Sequence, residues 1–160
     1  MKNMAKILYA TAIIAIISLS SCKKKCDLGE SIDHGAIMQE VVVYPLSGYM
    51  TEFLQPNQYL VTASSEIADR FEMSLDKGYT RTDFDFGTYS LLAFPMSTNC
   101  FAVFDRNVEI DHLNRVIVYT IDVKDCGKCD DKRYIENWIA IPAVDSTYTV
   151  LYDVKQQTVF

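Results

Sequence analysis

Glycine and proline are scarce in this sequence, with six and four copies in 160 residues. Their scarcity excludes collagen-like and low-complexity chains, and the lack of a repeated window excludes a solenoid. The sequence has no Gly-rich phosphate-binding loop and no Gly-x-Ser-x-Gly nucleophile motif. Ten tyrosines and eight phenylalanines are available for a core. The composition therefore indicates an ordered globular domain without a recognisable catalytic set.

Histidine is rarer still, and the sequence contains only His34 and His112. Together with the cysteines they do not give the paired spacing of a zinc site. Asp83-x-Asp85-x-Gly87 invites a calcium interpretation, but most ligands of a calcium loop are missing. Alternation of the acids with Phe84 and Phe86 favours the start of a half-buried strand. No metal or cofactor is predicted, and whether the chain is an enzyme stays open.

The clearest motif lies near the N-terminus. Lys2 and Lys6 precede a thirteen-residue apolar run, residues 7–19, that ends in Leu19-Ser20-Ser21-Cys22. As a helix the run covers about 20 Å, too short for the hydrocarbon core of a bilayer. No Ala-x-Ala-like cleavage site is present. Leu-Ser-Ser-Cys resembles the lipobox of bacterial lipoproteins, which implies a signal peptide over 1–21 and acylation of Cys22.

The chain after Cys22 is strongly acidic. Five of the 15 basic residues and none of the 21 acidic ones lie in the first 25 positions, so the remainder carries a formal charge of −11. A charge of that sign repels phosphate backbones, and nucleic acid is not an expected partner. Lys23, Lys24 and Lys25 suit a tether beside anionic headgroups. We expect a bacterial envelope protein, with lipid anchor and linker over 22–38 and one β-rich domain over 39–160 in the periplasm or on the cell surface.

Strand patterns dominate that domain. The run at 90–94 is continuously apolar, which is typical of a strand buried on both faces. Ile117, Tyr119, Ile121 and Val123 recur at every second position, so they share one face of a strand. Pro45 places the first strand at an edge or ends it. About seven strands are predicted, over 40–44, 58–62, 90–94, 101–104, 115–123, 138–141 and 148–154.

One helix is predicted between the second and third of these strands. Ser64 or Ser65 can cap it, and Glu66 favours its first turn. Ile67, Phe71 and Leu75 recur every four residues, and Gly78 follows as a terminator. The expected fold is mainly β, an antiparallel β-sandwich or partial barrel with this helix packed on it.

Residues 58–152 resemble a family of bacterial lipoproteins. The resemblance is carried by Tyr59-Leu60-Val61-Thr62 before the helix, Asp85-Phe86 leading to Tyr89-Ser90-Leu91-Leu92, the hairpin and Trp138-Ile139-Ala140-Ile141-Pro142. These segments are similar to the C-terminal domain of the lipoprotein subunit that stabilises a secreted spirochaete protease complex. The resemblance implies a small β-rich fold that binds or stabilises another protein. It supplies no catalytic residues.

Four cysteines remain after Cys22, an even number that suits disulfides in an exported protein. Cys126-Gly127-Lys128-Cys129 is a C-x-x-C motif, which some oxidoreductases use for thiol–disulfide exchange. Here Asp125, Asp130 and Asp131 surround it, and nearby acids raise a thiol pKa instead of lowering it. Structural disulfides are the preferred interpretation.

Hairpin geometry suggests which cysteines pair. If 101–110 and 115–123 form a ladder around a three-residue turn centred on Leu113, Cys100 lies directly opposite Cys126. Opposed Cα atoms lie within the range of a disulfide. Cys26 then remains for Cys129. The second choice is Cys126 with Cys129 and Cys26 with Cys100.

Two functions follow from these observations. The first is a lipid-anchored module that binds or stabilises an unidentified protein at the cell envelope. The alternative is a lipid-anchored thiol–disulfide oxidoreductase that uses Cys126 and Cys129.

Overall fold

The computed structural model describes residues 26–45, 59–66, 71–74, 84–127 and 131–160, and the side chains of all of these except 42–45 and 71–74. Within those ranges the chain forms twelve strands and one 3-10 turn, Ser64–Glu66, so the predicted mainly β class is confirmed. The strands are β1 (Ile32–Gly35), β2 (Gln39–Glu40), β3 (Val42–Pro45), β4 (Tyr59–Val61), β5 (Phe71–Ser74), β6 (Tyr89–Ala93), β7 (Met96–Asn99), β8 (Ala102–Asp111), β9 (Val116–Cys126), β10 (Lys132–Ile135), β11 (Ile139–Pro142) and β12 (Thr149–Val159).

The strands form two four-stranded sheets and two separate pairs. The first sheet has the strand order β1-β8-β9-β12, and the second has the order β2-β11-β6-β4. The two separate pairs are β7 with β10 and β3 with β5. The predicted antiparallel arrangement is wrong for two contacts, because β1 is parallel to β8 and β12 is parallel to β9. Alternation along a strand has no direction, so it cannot distinguish the two kinds of pairing. The predicted count of about seven misses the short strands, several of which have four residues or fewer.

Buried side chains from both four-stranded sheets form one core cluster, so the two sheets face each other. Ile117, Tyr119 and Ile121 of β9 are fully buried there together with Ile139 and Ile141 of β11. The predicted apolar face of β9 is therefore confirmed. Burial of such side chains is the main favourable contribution to folding.

The second sheet is buried on both sides. Leu92 belongs to the cluster between the sheets, whereas its neighbours Leu91 and Ala93 belong to a second cluster with Trp138 and Ala140. Leu91, Leu92 and Ala93 are all fully buried. The prediction that the continuous apolar run at 90–94 forms a strand buried on both faces is confirmed.

The predicted helix is wrong wherever the structure describes it. Ser64–Glu66 is a single 3-10 turn, in which the Glu66 carboxylate accepts hydrogen bonds from the backbone N–H groups of Thr62 and Ala63 at 3.0 Å each. Phe71–Ser74 is a strand that pairs with β3. A spacing of four residues also fits a period of two, and Phe71-Glu72-Met73-Ser74 alternates apolar and polar residues as a strand does. Ile67, Leu75 and Gly78 lie outside the described residues.

The predicted linker also contains structure. Ile32–Gly35 forms β1 beside β8, and the Ala36 N–H donates to the Val108 carbonyl at 2.8 Å. Gly35 has a φ of +68°, and a Cβ there would lie 2.2 Å from the same carbonyl oxygen. Only glycine allows so close an approach in that conformation. The N-terminal segment is therefore part of the first sheet from residue 32 onward.

The Asp85 segment is a turn and not the start of a strand. The Asp85 carboxylate accepts hydrogen bonds from the Gly87 N–H at 2.9 Å and the Thr88 hydroxyl at 2.6 Å. These hydrogen bonds lower the pKa of Asp85. Phe84 and Phe86 still pack against the second core cluster, and β6 begins only at Tyr89. Asp83 lies outside the described residues.

Candidate functional site

Three segments that are remote in sequence meet at one end of the first sheet, which we name the disulfide end: residues 26–29, residues 99–103 and the end of β9. Cys26 and Cys126 form a disulfide there, with their Cα atoms 5.6 Å apart and 100 positions between them in sequence. Cys126 is buried, and its N–H donates to the Phe101 carbonyl at 2.9 Å.

Both predicted pairings of the cysteines are wrong, since each assigned Cys126 a partner other than Cys26. The cause is the hairpin turn. The turn between β8 and β9 has four residues, 112–115, and Asp111 lies opposite Val116. Phe101 therefore takes the place opposite Cys126, and Cys100 is one position out of register. A shift of one residue moves a side chain to the other face of a ladder.

Cys100 is also disulfide-bonded, and only 8% of its surface is exposed. Its partner lies outside the described residues, as do Cys22 and Cys129. Because Cys126 is bonded to Cys26, the two sulfur atoms of the C-x-x-C motif are not bonded to each other. The exchange chemistry of such motifs depends on that bond.

A cleft of about 420 Å³ lies beside the disulfide. Its walls combine Cys26 and Cys100 with apolar and charged side chains, chiefly Phe101, Ile135, Arg133 and Asp27. Phe101 is 48% exposed although it is a large apolar residue. Aromatic and arginine side chains are enriched at protein interfaces, and aromatic side chains are also enriched at membrane surfaces.

A second, polar cleft of about 360 Å³ lies at the same end and contains Asp125. Asp125 is 2% exposed and accepts hydrogen bonds from the Asn99 N–H at 3.1 Å and the Gln156 side-chain amide at 2.8 Å. Burial raises the pKa of Asp125, but hydrogen bonds from Asn99, Thr158 and Gln156 lower it by more. The carboxylate thus stays charged and links β7, β9 and β12 at their ends.

An ion pair with a buried guanidinium joins β1 to β8 within the first sheet. The Arg106 guanidinium makes two hydrogen bonds to the Asp33 carboxylate, at 2.6 and 3.0 Å, and its side chain is 4% exposed. Burial lowers the pKa of Arg106, whereas the hydrogen bond and the charge of Asp33 raise it by more. Burial also raises the pKa of the neighbouring Tyr119 hydroxyl. The guanidinium therefore stays charged inside the core.

The sequence contains a signal for both buried charges that the predictions did not include. Arg106 occupies the same face as buried Phe104 and Val108, and Asp125 continues the inward series of Ile121 and Val123. A charged residue at an apolar position of a period-two pattern predicts a buried, paired charge.

The two histidines have separate partners in different parts of the fold. His34 on β1 lies 3.4 Å from the Asp105 carboxylate on β8, whereas the ring of His112, in the hairpin turn, contacts the Tyr148 hydroxyl at 2.8 Å. Among the described residues, no group of three or more His, Cys, Asp or Glu side chains could hold a metal ion. No helix within the described ranges has the length and apolarity to cross a bilayer.

The outer edge of β12 is the longest exposed backbone edge in the described part of the fold. β12 is an edge strand of eleven residues, whereas the edge strands β1, β2 and β4 have four, two and three. The Thr149 N–H donates to the Arg115 carbonyl at 2.9 Å, and the Val159 carbonyl accepts a hydrogen bond from the Gly127 N–H at 2.7 Å. Arg115 and Gly127 adjoin the two ends of β9, so both groups of β12 point toward that strand. Because successive backbone groups alternate in direction, the even-numbered residues from 150 to 158 present theirs to the open edge.

Comparison with known proteins gives no match from which a function could be transferred. No protein-family model matches the sequence. No curated protein and no solved structure matches the chain at a significant level.

Proposed function

We propose that this chain is a lipid-anchored envelope protein that binds or stabilises another protein. Acylation of Cys22, suggested by Leu19-Ser20-Ser21-Cys22 after the apolar run, would hold it at a membrane. Two or three acyl chains give durable attachment, because each buried methylene contributes about 0.8 kcal/mol. The resemblance of residues 58–152 to a lipoprotein subunit that stabilises a protease complex points to the same class of function.

The observation that carries the binding role is the open edge of β12. Its eleven residues contain no proline, and the side chain of its one lysine, Lys155, lies 3.3 Å from Asp153. Natural proteins protect long edges with prolines, bulges or free charges, because an open edge can pair with another chain. An extended segment of a partner can add to such an edge through backbone hydrogen bonds. About half of the β12 side chains, including Leu151, lie on the outer face of the first sheet, where they would contact the docked segment of the partner.

The oxidoreductase alternative has no comparable support. Cys126 is 2% exposed and bonded to Cys26, in a strand whose neighbouring residue Asp125 carries a negative charge. A reactive thiol of an exchange enzyme is accessible and lies in an electropositive environment. The disulfides are therefore assigned a structural role in this proposal.

We expect Cys22→Ala to abolish labelling by fatty acid and to leave the precursor unprocessed or shed from the membrane, because the variant has no thiol that can be acylated at the end of the apolar run. Fractionation and labelling with a radioactive fatty acid would measure this. Ser21→Ala is the matched control, since it preserves both the cysteine and a small residue before it. A Cys22→Ala protein that remains labelled in the membrane would contradict the proposed anchor.

We expect Val154→Pro to weaken partner binding at least about tenfold, because it removes an outward N–H that a docked strand would use and places a ring against that strand. Val154→Ala is the matched control, since it loses a similar part-buried side chain but retains the N–H. The measurement is quantitative co-purification of the same partner from the native envelope by both variants. Equal recovery of the partner with proline and with alanine would exclude the β12 edge as its docking site.

A further inference from the structure

We propose that the disulfide end of the domain rests on the bilayer that holds the lipid anchor, with Phe101 and Phe160 inserted at the membrane surface. This inference depends on the proposed acylation of Cys22. It adds an orientation and a second membrane contact to the anchor. The partner of this surface is a phospholipid bilayer.

The length of the tether gives the first argument. Only Lys23, Lys24 and Lys25 separate Cys22 from Cys26, so the Cα atoms of the two cysteines lie at most about 14 Å apart. Cys26 is bonded to Cys126 at the end of β9. The lipid therefore holds this end of the sheet within roughly one tether length of the bilayer. The hairpin turn is about 33 Å away, because β8 has ten residues at about 3.3 Å each.

The exposed aromatic side chains give the second argument. Phe101 lies opposite Cys126 and is 48% exposed. Phe160 is 82% exposed, and its ring lies over the residue after Cys126, since a Cβ on Gly127 would be 2.5 Å from its Cε1 atom. Two phenylalanines thus flank the residue that is bonded to the tether. Apolar rings are favourable at the boundary between headgroups and acyl chains.

Charge distinguishes this end from the rest of the surface. The chain after residue 25 carries a formal charge of −11 and is repelled by anionic headgroups. The cleft at the disulfide end contains Arg133 and one acid, Asp27, and the three lysines of the tether adjoin it in sequence. Asp125 also lies at this end, so the positive charge that an anionic bilayer attracts comes from the three lysines of the tether and from Arg133.

Membrane contact here leaves the proposed docking edge accessible. β12 runs parallel to β9, from Thr149 beside the hairpin turn to Val159 at the disulfide end. A domain that stands on its disulfide end therefore projects the β12 edge away from the bilayer. A partner in the surrounding solution could reach most of this edge.

Tryptophan fluorescence of the full acylated protein tests the orientation. Phe101→Trp and Phe160→Trp place the probe at the proposed contact, and Leu113→Trp is the control, because Leu113 is 91% exposed in the turn at the other end of β8 and β9. The native Trp138 is 6% exposed and provides a constant background. Each variant is reconstituted into vesicles of phosphatidylethanolamine and phosphatidylglycerol, with or without bromine on the acyl chains. Unchanged thermal unfolding shows that each variant is folded.

We expect bromine to quench the probe at positions 101 and 160, and their emission to shift to the blue, while the probe at 113 is unaffected. The mass of the N-terminal peptide reports acylation in the same samples. An unacylated protein that stays in solution would refute the proposed anchor. An acylated protein whose probes at 101 and 160 are not quenched, or are quenched no more than the probe at 113, would overturn the orientation alone. Hydrogen exchange of the unsubstituted protein with and without vesicles provides a second measurement, with protection expected at 100–103 and not at 112–115.

Discussion

Replacing Asp33 with alanine is expected to lower the free energy of unfolding by about 3–5 kcal/mol, because it leaves a buried guanidinium without its counter-ion. Arg106 is buried to 96% of its side chain and makes both of its short carboxylate contacts to Asp33. The next carboxylate, Glu40, is 3.9 Å away and makes a weaker contact. Urea unfolding of the mature protein in detergent measures the change.

The two partners of this ion pair should respond unequally. The Asp33 side chain is 29% exposed, so water can solvate it when Arg106 is replaced. Arg106→Met should therefore cost less than Asp33→Ala, and the double variant should recover most of the loss, since an apolar pair needs no compensation. A double variant no more stable than Asp33→Ala would show that the pair is not the origin of the effect.

Removing the Cys26–Cys126 disulfide is expected to cost about 4 kcal/mol, because the bond closes a loop of about 100 residues and restricts the unfolded chain. The double variant Cys26→Ser, Cys126→Ser removes the bond without leaving a free thiol at either end. Its urea midpoint should fall well below that of the native protein.

The second cysteine pair provides the control for that experiment. Cys100 is bonded elsewhere, so reducing agent should destabilise the double variant further and the native protein by the sum of both effects. A double variant as stable as the native protein would mean that the disulfide does not restrain the N-terminal segment. The hydrogen bonds of β1 and the Asp33–Arg106 contact would then suffice to hold that segment.

The parts of the fold that the sequence predicts are those with local alternation. Ile117, Tyr119 and Ile121 share a buried face as their spacing indicates, and the apolar run at 90–94 gives a strand buried on both faces. In each case the signal lies within one strand, either as an alternation with a period of two or as a continuous apolar run.

The errors come from patterns that fit two structures or from contacts between distant segments. The spacing of Ile67, Phe71 and Leu75 fits both a helix and a strand, and Phe71–Ser74 forms a strand. Strand β1 pairs with β8, which lies more than seventy residues away in the sequence, and no local pattern predicts that contact.

The wrong disulfide pairing has the smallest cause. The hairpin turn has one residue more than the three that were predicted, which places Phe101 opposite Cys126. Cys26, and not Cys100, is therefore the residue bonded to Cys126. Asp111 accepts hydrogen bonds from the N–H groups of Leu113 and Asn114 at 2.9 and 3.0 Å, which stabilises the four-residue turn. Asp111 and Asn114 are common turn residues, but they do not by themselves distinguish a turn of three residues from one of four.

The disulfide end connects the proposed anchor with the observed fold, and one experiment examines that connection. Mature protein from the native envelope is cleaved after glutamate without reduction and analysed by mass spectrometry. Glu30 is the first glutamate of the chain, so Cys22 and Cys26 stay in one peptide, 22–30. Trypsin then cleaves after Lys128 and separates Cys126 from Cys129.

The first digest should give a peptide that begins at Cys22, carries acyl chains and is linked to the peptide 110–136. After trypsin, the fragment with Cys26 should remain bonded to the fragment with Cys126. An N-terminal peptide without acyl chains would contradict the proposed anchor. A bond between Cys126 and Cys129 would contradict the attachment of the tether to the end of β9.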